Sequence, residues 1–140
     1  MRNAFSLVLI ALGVFSGTAV AFSDPPPVPK ERNVSVDDLY GEWKEVREQR
    51  SGAVLLDVRT PEEFASGHVP GAINIPLGNP PLVSKMWPDP ETEIWVYCRT
   101  QRRSASFASR LRTMGYRNLN VVNGGIMNWA EKGYPIDRRP

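Results

Sequence analysis

From Ser35 onward the chain alternates between apolar runs of strand length and stretches whose apolar residues recur at helical spacing. Ser35 with Asp38 has the form of a capping box, and Leu39, Trp43 and Val46 then fall on one stripe, which predicts a helix to about Gln49. Ala53–Val58 is a short apolar run of the kind buried on both faces of a parallel sheet. Thr60-Pro61-Glu62-Glu63 combines an N-cap hydroxyl, proline at the first helical position and a carboxylate that reaches back, so a short helix follows and ends at Gly67. Gly71–Ile75 reads as a second short strand. The five prolines between Pro76 and Pro90 predict a surface excursion with a turn or two of helix near Leu82–Met86. Ile94–Tyr97 is a buried strand, and Ser104–Met114 is a helix with Phe107, Leu111 and Met114 on one stripe. Asn118–Val122 is a further strand, and Gly124-Gly125 opens a last helix through Ala130 that Gly133 ends. Strands separated by helices predict an α/β domain with a mainly parallel central sheet flanked by helices.

Ahead of this pattern the chain is different in kind. Arg2, the apolar run Ala4–Phe15 and the small residues of Ala19-Val20-Ala21 have the form of a secretory signal cleaved after Ala21. Export to the periplasm, with no stable membrane insertion after cleavage, is the expectation. The alternative is an uncleaved anchor in the inner membrane, since Ala4–Phe22 is just long enough to span a bilayer, although Ser16, Gly17 and Thr18 dilute it. Pro25, Pro26, Pro27 and Pro29 make the next stretch an extended linker. The expected organisation is a signal over 1–21, a linker over 22–33 and the folded domain over 34–137.

Composition narrows the function. Lys and Arg number 17 against 15 Asp and Glu, a net charge of +2 that gives no reason to expect a nucleic-acid partner. One cysteine, Cys98, and one histidine, His68, exclude an internal disulfide framework and a zinc-finger-like cluster, so neither metal nor cofactor is expected. In an oxidising compartment a lone cysteine is either a bridge to another chain, a reactive thiol or a small packed hydrophobe.

Position decides among these. Cys98 directly follows the Ile94–Tyr97 strand, at the rim where parallel α/β sheets bind ligands, and Ser104 opens the next helix six residues on. The segment Arg99-Thr100-Gln101-Arg102-Arg103 would curl in front of a helix N-terminus, where successive N–H groups form an anion-binding concavity that favours a thiolate. No Asp or Glu occurs between Glu93 and Glu131. Of the arginines in that interval, Arg110, Arg112 and Arg117 read as a solvated helix face, while Arg99, Arg102 and Arg103 form a cationic mouth around the thiol. Asp57, at the end of the neighbouring strand, either bonds the loop or caps local amides. Arg59 is expected to pair with Glu62 or Glu63, and His68 to be a hydrogen-bonded structural residue. Trp43, Trp95 and Trp129 read as core, and Trp87 as a residue of the entrance.

Three blocks of sequence resemble the single-domain rhodaneses, the thiosulfate sulfurtransferase-like proteins. The first is Leu55-Leu56-Asp57-Val58-Arg59 running into Glu62-Glu63-Phe64 and Gly67-His68-Val69-Pro70-Gly71-Ala72. The second is Val96-Tyr97-Cys98 with the loop to Arg103, and the third is Gly124-Gly125 followed by Trp129. The resemblance spans roughly Ser35 to Pro135. It implies a three-layer rhodanese fold and a Cys98 that accepts a sulfane sulfur as a persulfide. Substrate would then be bound by Arg99, Thr100, Gln101, Arg102 and Arg103, with Ser104 and Asp57 in support. The partners implied are a small anionic donor such as thiosulfate and a thiol or cyanide acceptor, in a monomeric enzyme. Gln101 stands where the family often has glycine, which would resist φ > 0 and add a side chain near the mouth. Cysteine phosphatases place an arginine six positions after the nucleophile. Here Arg103 is five after Cys98 and Ser104 is sixth, which demotes phosphatase or arsenate reductase activity. A non-catalytic module binding a partner through the 76–90 loop is the remaining alternative.

Overall fold

Five strands and five helices alternate through the computed structural model, which describes residues 30–48 and 50–139. The expected signal, the linker up to Pro29 and the helix end at Gln49 lie outside the described residues. In chain order the elements are β1 (Lys30–Val34), α1 (Val36–Arg47), β2 (Val54–Asp57), α2 (Pro61–Ser66) and β3 (Ile73–Asn74). They continue with α3 (Pro81–Met86), β4 (Ile94–Tyr97), α4 (Arg102–Thr113), β5 (Asn118–Val122) and α5 (Gly125–Glu131). All pairings are parallel, in the order β1-β5-β4-β2-β3.

The local signals that predicted α1 and α2 act as read. Ser35 and Thr60 each accept from the backbone N–H three residues on, and Asp38 and Glu63 each reach back to the cap N–H, so both capping boxes close. The sheet is buried on both faces. Leu56, Val58, Val96, Leu119 and Val121 pack with Phe107, Ala108 and Leu111 of α4 and with Val83 of α3. Leu55, Trp95, Tyr97 and Val122 pack on the other face with Leu39, Trp43 and Val46 of α1 and with Trp129 of α5. Trp43 and Trp129 donate their indole N–H to Pro70 O (2.9 Å) and Pro135 O (2.7 Å), which lets these large rings stay buried.

Three readings change. Lys30–Asn33 belong to β1 and not to a linker, so the folded unit includes residues 30–33. Its sequence, Lys-Glu-Arg-Asn-Val, carries almost no apolar signal because β1 is an edge strand whose stabilisation comes from backbone pairing with β5. Second, α4 begins at Arg102, two residues before Ser104, with Gln101 as its cap. Third, the proline-rich 76–90 stretch is anchored: Val83 is fully buried and Leu77, Leu82 and Trp87 pack against the α4-side core.

Candidate active site

Alternation along β4 aims its residues at opposite helix layers, and it carries on past the strand end. Val96 faces α4, Tyr97 faces α1 and α5, and Cys98 again faces α4. The thiol is therefore set between the carboxyl end of the sheet and the start of α4. Cys98 is 1% exposed overall and contributes to the floor of an open cavity of ≈580 Å³ lined also by Leu77, Arg99, Thr100, Arg102, Arg103 and Ser106.

The loop backbone is turned by α5. The N–H groups of Ile126 and Met127 donate to Cys98 O (2.9 Å) and Arg99 O (3.2 Å). In a trans peptide the N–H points opposite to the preceding carbonyl, so the amides of Arg99 and Thr100 face away from α5, toward the side of the cavity. From Arg99 through Ser104 no amide has a protein acceptor among the described residues. The last three of these are the first N–H groups of the 12-residue helix α4, where the helix dipole adds partial positive charge. The result is a run of free donors in the loop that lines the cavity with Cys98, a setting suited to an anion.

Gly125 makes this possible; the sequence marks it as a helix start and as part of the third resembling block, not as a contact of the Cys98 loop. It sits at φ +53°, and a Cβ there would lie 2.2 Å from Cys98 O and 2.7 Å from Arg99 O. Only glycine lets α5 approach the loop this closely.

Ser104 is fully buried; its hydroxyl donates to Gln101 O (2.8 Å) and accepts the Cys98 thiol at 3.6 Å. Arg103 lines the cavity, yet its guanidinium forms a two-pronged bond to Glu63 of α2, at 2.7 and 2.8 Å. This bond holds the Glu63 carboxyl down at about 2, despite the opposing effect of burial, and raises Arg103 in turn. Hence the acid-free interval of the sequence is not acid-free in space. Glu63, Glu31 and Glu91 arrive from elsewhere to pair Arg103, Arg112 and Arg117, the last two of which read as solvated. Arg99 and Arg102 are exposed and meet no carboxylate among the described residues.

Gln101 does not line the cavity. Its backbone lies at φ −158° and ψ −30°, on the negative-φ side, so the positive φ that its identity would resist is not required. Its side chain donates instead to Asn33 Oδ1 of β1 at 3.2 Å.

Asp57 resolves to the local reading. Both carboxylate oxygens hold Arg59, through its backbone N–H (2.9 Å), Nε (3.0 Å) and Nη2 (2.6 Å), and Nη2 also reaches Gly67 O at 2.7 Å. Arg59 thus pairs with Asp57, not with Glu62 or Glu63. Burial alone would lower the Arg59 guanidinium; the Asp57 carboxylate outweighs it and the net shift is upward. Burial, and then the charge of Asp57, pushes the Tyr97 phenol well up, leaving a neutral hydroxyl that accepts from Val69 N–H at 3.1 Å. This network braces the β2 and β4 ends beneath the loop. His68 stacks on Phe64, its Nδ1 lies 2.9 Å from Phe64 O, and its backbone bridges to Asp137. Trp87 leaves the entrance: it lines a separate cavity of ≈130 Å³ with Val46, Gly52 and Ile73, and Leu77 is the residue of the 76–90 stretch that borders the thiol.

The sequence profile of the rhodanese-like domain matches residues 41–132. The chain belongs to the rhodanese-like family. A sulfurtransferase of Allochromatium vinosum is 35% identical over 83 residues, covering 59% of this chain and 77% of that protein. Thiosulfate sulfurtransferase 16, chloroplastic, of Arabidopsis thaliana is 35% identical over 97 residues, covering 61% and 80%. Among solved structures, a rhodanese-related protein from Thermoplasma volcanium superposes with a TM-score of 0.59 at 30% identity, covering 77% of this chain and 99% of that one. The fold is thus the rhodanese-like α/β fold, with an all-parallel five-stranded sheet between helices, and both of these relatives are named sulfurtransferases.

Proposed function

We propose that the protein moves a sulfane sulfur from an anionic donor of the thiosulfate class to a thiol or cyanide, through a persulfide on Cys98. One observation carries this reading. Cys98 lines a cavity together with loop residues whose amides have no protein acceptor, and with two arginines that meet no carboxylate, among the described residues. Such a place suits an anionic sulfur and an anionic leaving group together.

The Cys98 thiolate attacks the outer sulfur of thiosulfate. A new S–S bond forms, the old one breaks, and sulfite departs with the electron pair against Arg99 and Arg102. The terminal persulfide sulfur then sits among the loop N–H groups, while the Ser104 hydroxyl, whose proton goes to Gln101 O, braces the loop beside it. An acceptor thiolate or cyanide attacks that terminal sulfur and Cys98 leaves as thiolate, which closes the cycle. Two successive displacements at one nucleophile require ping-pong kinetics.

Incubation with thiosulfate followed by intact-mass analysis should show an adduct of roughly 32 Da, one sulfur atom, on Cys98, removable by cyanide as thiocyanate. Cys98→Ser should lose both signals. A wild-type chain that gains no sulfur and yields no thiocyanate overturns the reading.

A further inference from the structure

Strand β1 grips α4 at both ends. Its alternating side chains divide cleanly between the faces of the sheet. Arg32 donates to buried Asn120, and Val34 packs with the α1-side core. Glu31 and Asn33 point the other way, Glu31 to Arg112 in the last turn of α4 and Asn33 to Gln101 at its cap. Gln101 lies between Thr100 and Arg102, both of which line the Cys98 cavity, yet Gln101 itself does not. A glutamine has enough rotatable bonds to swing either way from a rim position. What keeps it on the β1 side is the 3.2 Å bond to Asn33 Oδ1.

We propose that Asn33 is a specificity-determining residue: it holds the Gln101 side chain off the mouth of the Cys98 cavity and so sets how freely anions reach the thiol. The Asn33 side chain is exposed, and the main-chain pairing of Asn33 with Val121 does not depend on it, so its loss leaves the strand in place. Released, Gln101 rotates over a cavity whose neighbouring walls are Thr100 and Arg102, covering the route to sulfur and competing for Arg102. The bond is neutral and solvent-accessible, so it biases the side chain without locking it. In its consequence for thiosulfate the inference rests on the sulfur-transfer reading; in its consequence for access to the thiol it does not.

The test therefore measures access directly. Iodoacetate, a small anion that alkylates a thiolate, is reacted with the full chain and modification of Cys98 is followed by mass. Asn33→Ala should slow the reaction about 2- to 12-fold, the range that one neutral hydrogen bond can bias. The same substitution in a chain already carrying Gln101→Ala should have no further effect, because there is no side chain left to release. The KM for thiosulfate should follow the same pattern, rising in Asn33→Ala with kcat unchanged. An alkylation rate unaffected by Asn33→Ala overturns the inference. So does an equal slowing in both backgrounds, which would mark Asn33 as a mere support of the strand. A wild-type chain that alkylates normally but takes no sulfur from thiosulfate refutes the proposed function and leaves the alkylation comparison to decide this inference on its own.

Discussion

At the scale of single residues the site depends on what is left out as much as on what is present. A methyl group at position 125 would overlap two carbonyl oxygens, those of Cys98 and Arg99, and would sit on a backbone at φ +53°. Neither conflict is relieved by a rotamer change, because the colliding atoms are main chain. Gly125→Ala should therefore destabilise the protein by roughly 1–3 kcal/mol, the range for a strained backbone position. It should also abolish sulfur uptake by Cys98 even where the variant folds, since the loop must move to make room. Urea denaturation and adduct mass measure the two effects separately. An active, fully stable variant would show that the loop does not need its contact with α5. The place of Cys98, after a strand and before a helix, was legible, but the contact that Gly125 makes with its loop was not. A glycine pair announces a turn; which carbonyls approach it depends on a contact between segments nearly thirty residues apart.

At the scale of elements, α2 and α4 are joined by a single ion pair. Glu63 closes the α2 capping box through Thr60 N–H (3.0 Å) and also holds Arg103 on the first turn of α4. Its carboxyl titrates at about 2 in place of the ordinary 4.5. A depressed carboxylate stabilises the fold fully above the unfolded value and loses that contribution as pH falls toward the folded one. The window is thus pH 4.5 down to about 2. Glu63→Gln should be less stable than wild type at pH 7 by on the order of 1 kcal/mol, a modest figure because both partners are partly exposed to solvent. The gap should narrow as pH falls through that window, which melting curves at pH 7 and pH 3 would show. A gap that stays constant would mean the side chains pack without an electrostatic contribution. The helices of this pair were readable from Thr60-Pro61 and from the Phe107 and Leu111 stripe, because capping and periodicity are local. Their tie was not, and neither was β1: a charged edge strand has no amphipathic pattern to read, and its partners lie some eighty to ninety residues away.

At the scale of the whole molecule, the near-neutral total conceals an uneven pairing of charge. Most described arginines meet a carboxylate, including Arg32, Arg47, Arg59, Arg103, Arg112 and Arg117. Arg99 and Arg102 at the cavity mouth do not, and Arg110 on the same helix donates to the carbonyl of Leu77, a cavity residue, at 2.8 Å. Among the described residues no ion pair offsets Arg99 and Arg102, so their positive charge is left to act over the cavity. Sulfur uptake from a doubly negative donor should then weaken with ionic strength. The Debye length shrinks from about 10 Å at 0.1 M salt to about 3 Å at 1 M, shorter than the reach of the two arginines over the cavity. The expected result is a several-fold fall in kcat/KM for thiosulfate across that range, carried mainly by KM, as steering predicts. The combined change Arg99→Gln and Arg102→Gln should lower kcat/KM at low salt and flatten the salt dependence, while Arg112→Gln, whose charge Glu31 already offsets, should leave the slope as it is. A slope equally steep in all three proteins would locate the attraction in the amides and the α4 dipole rather than in these side chains.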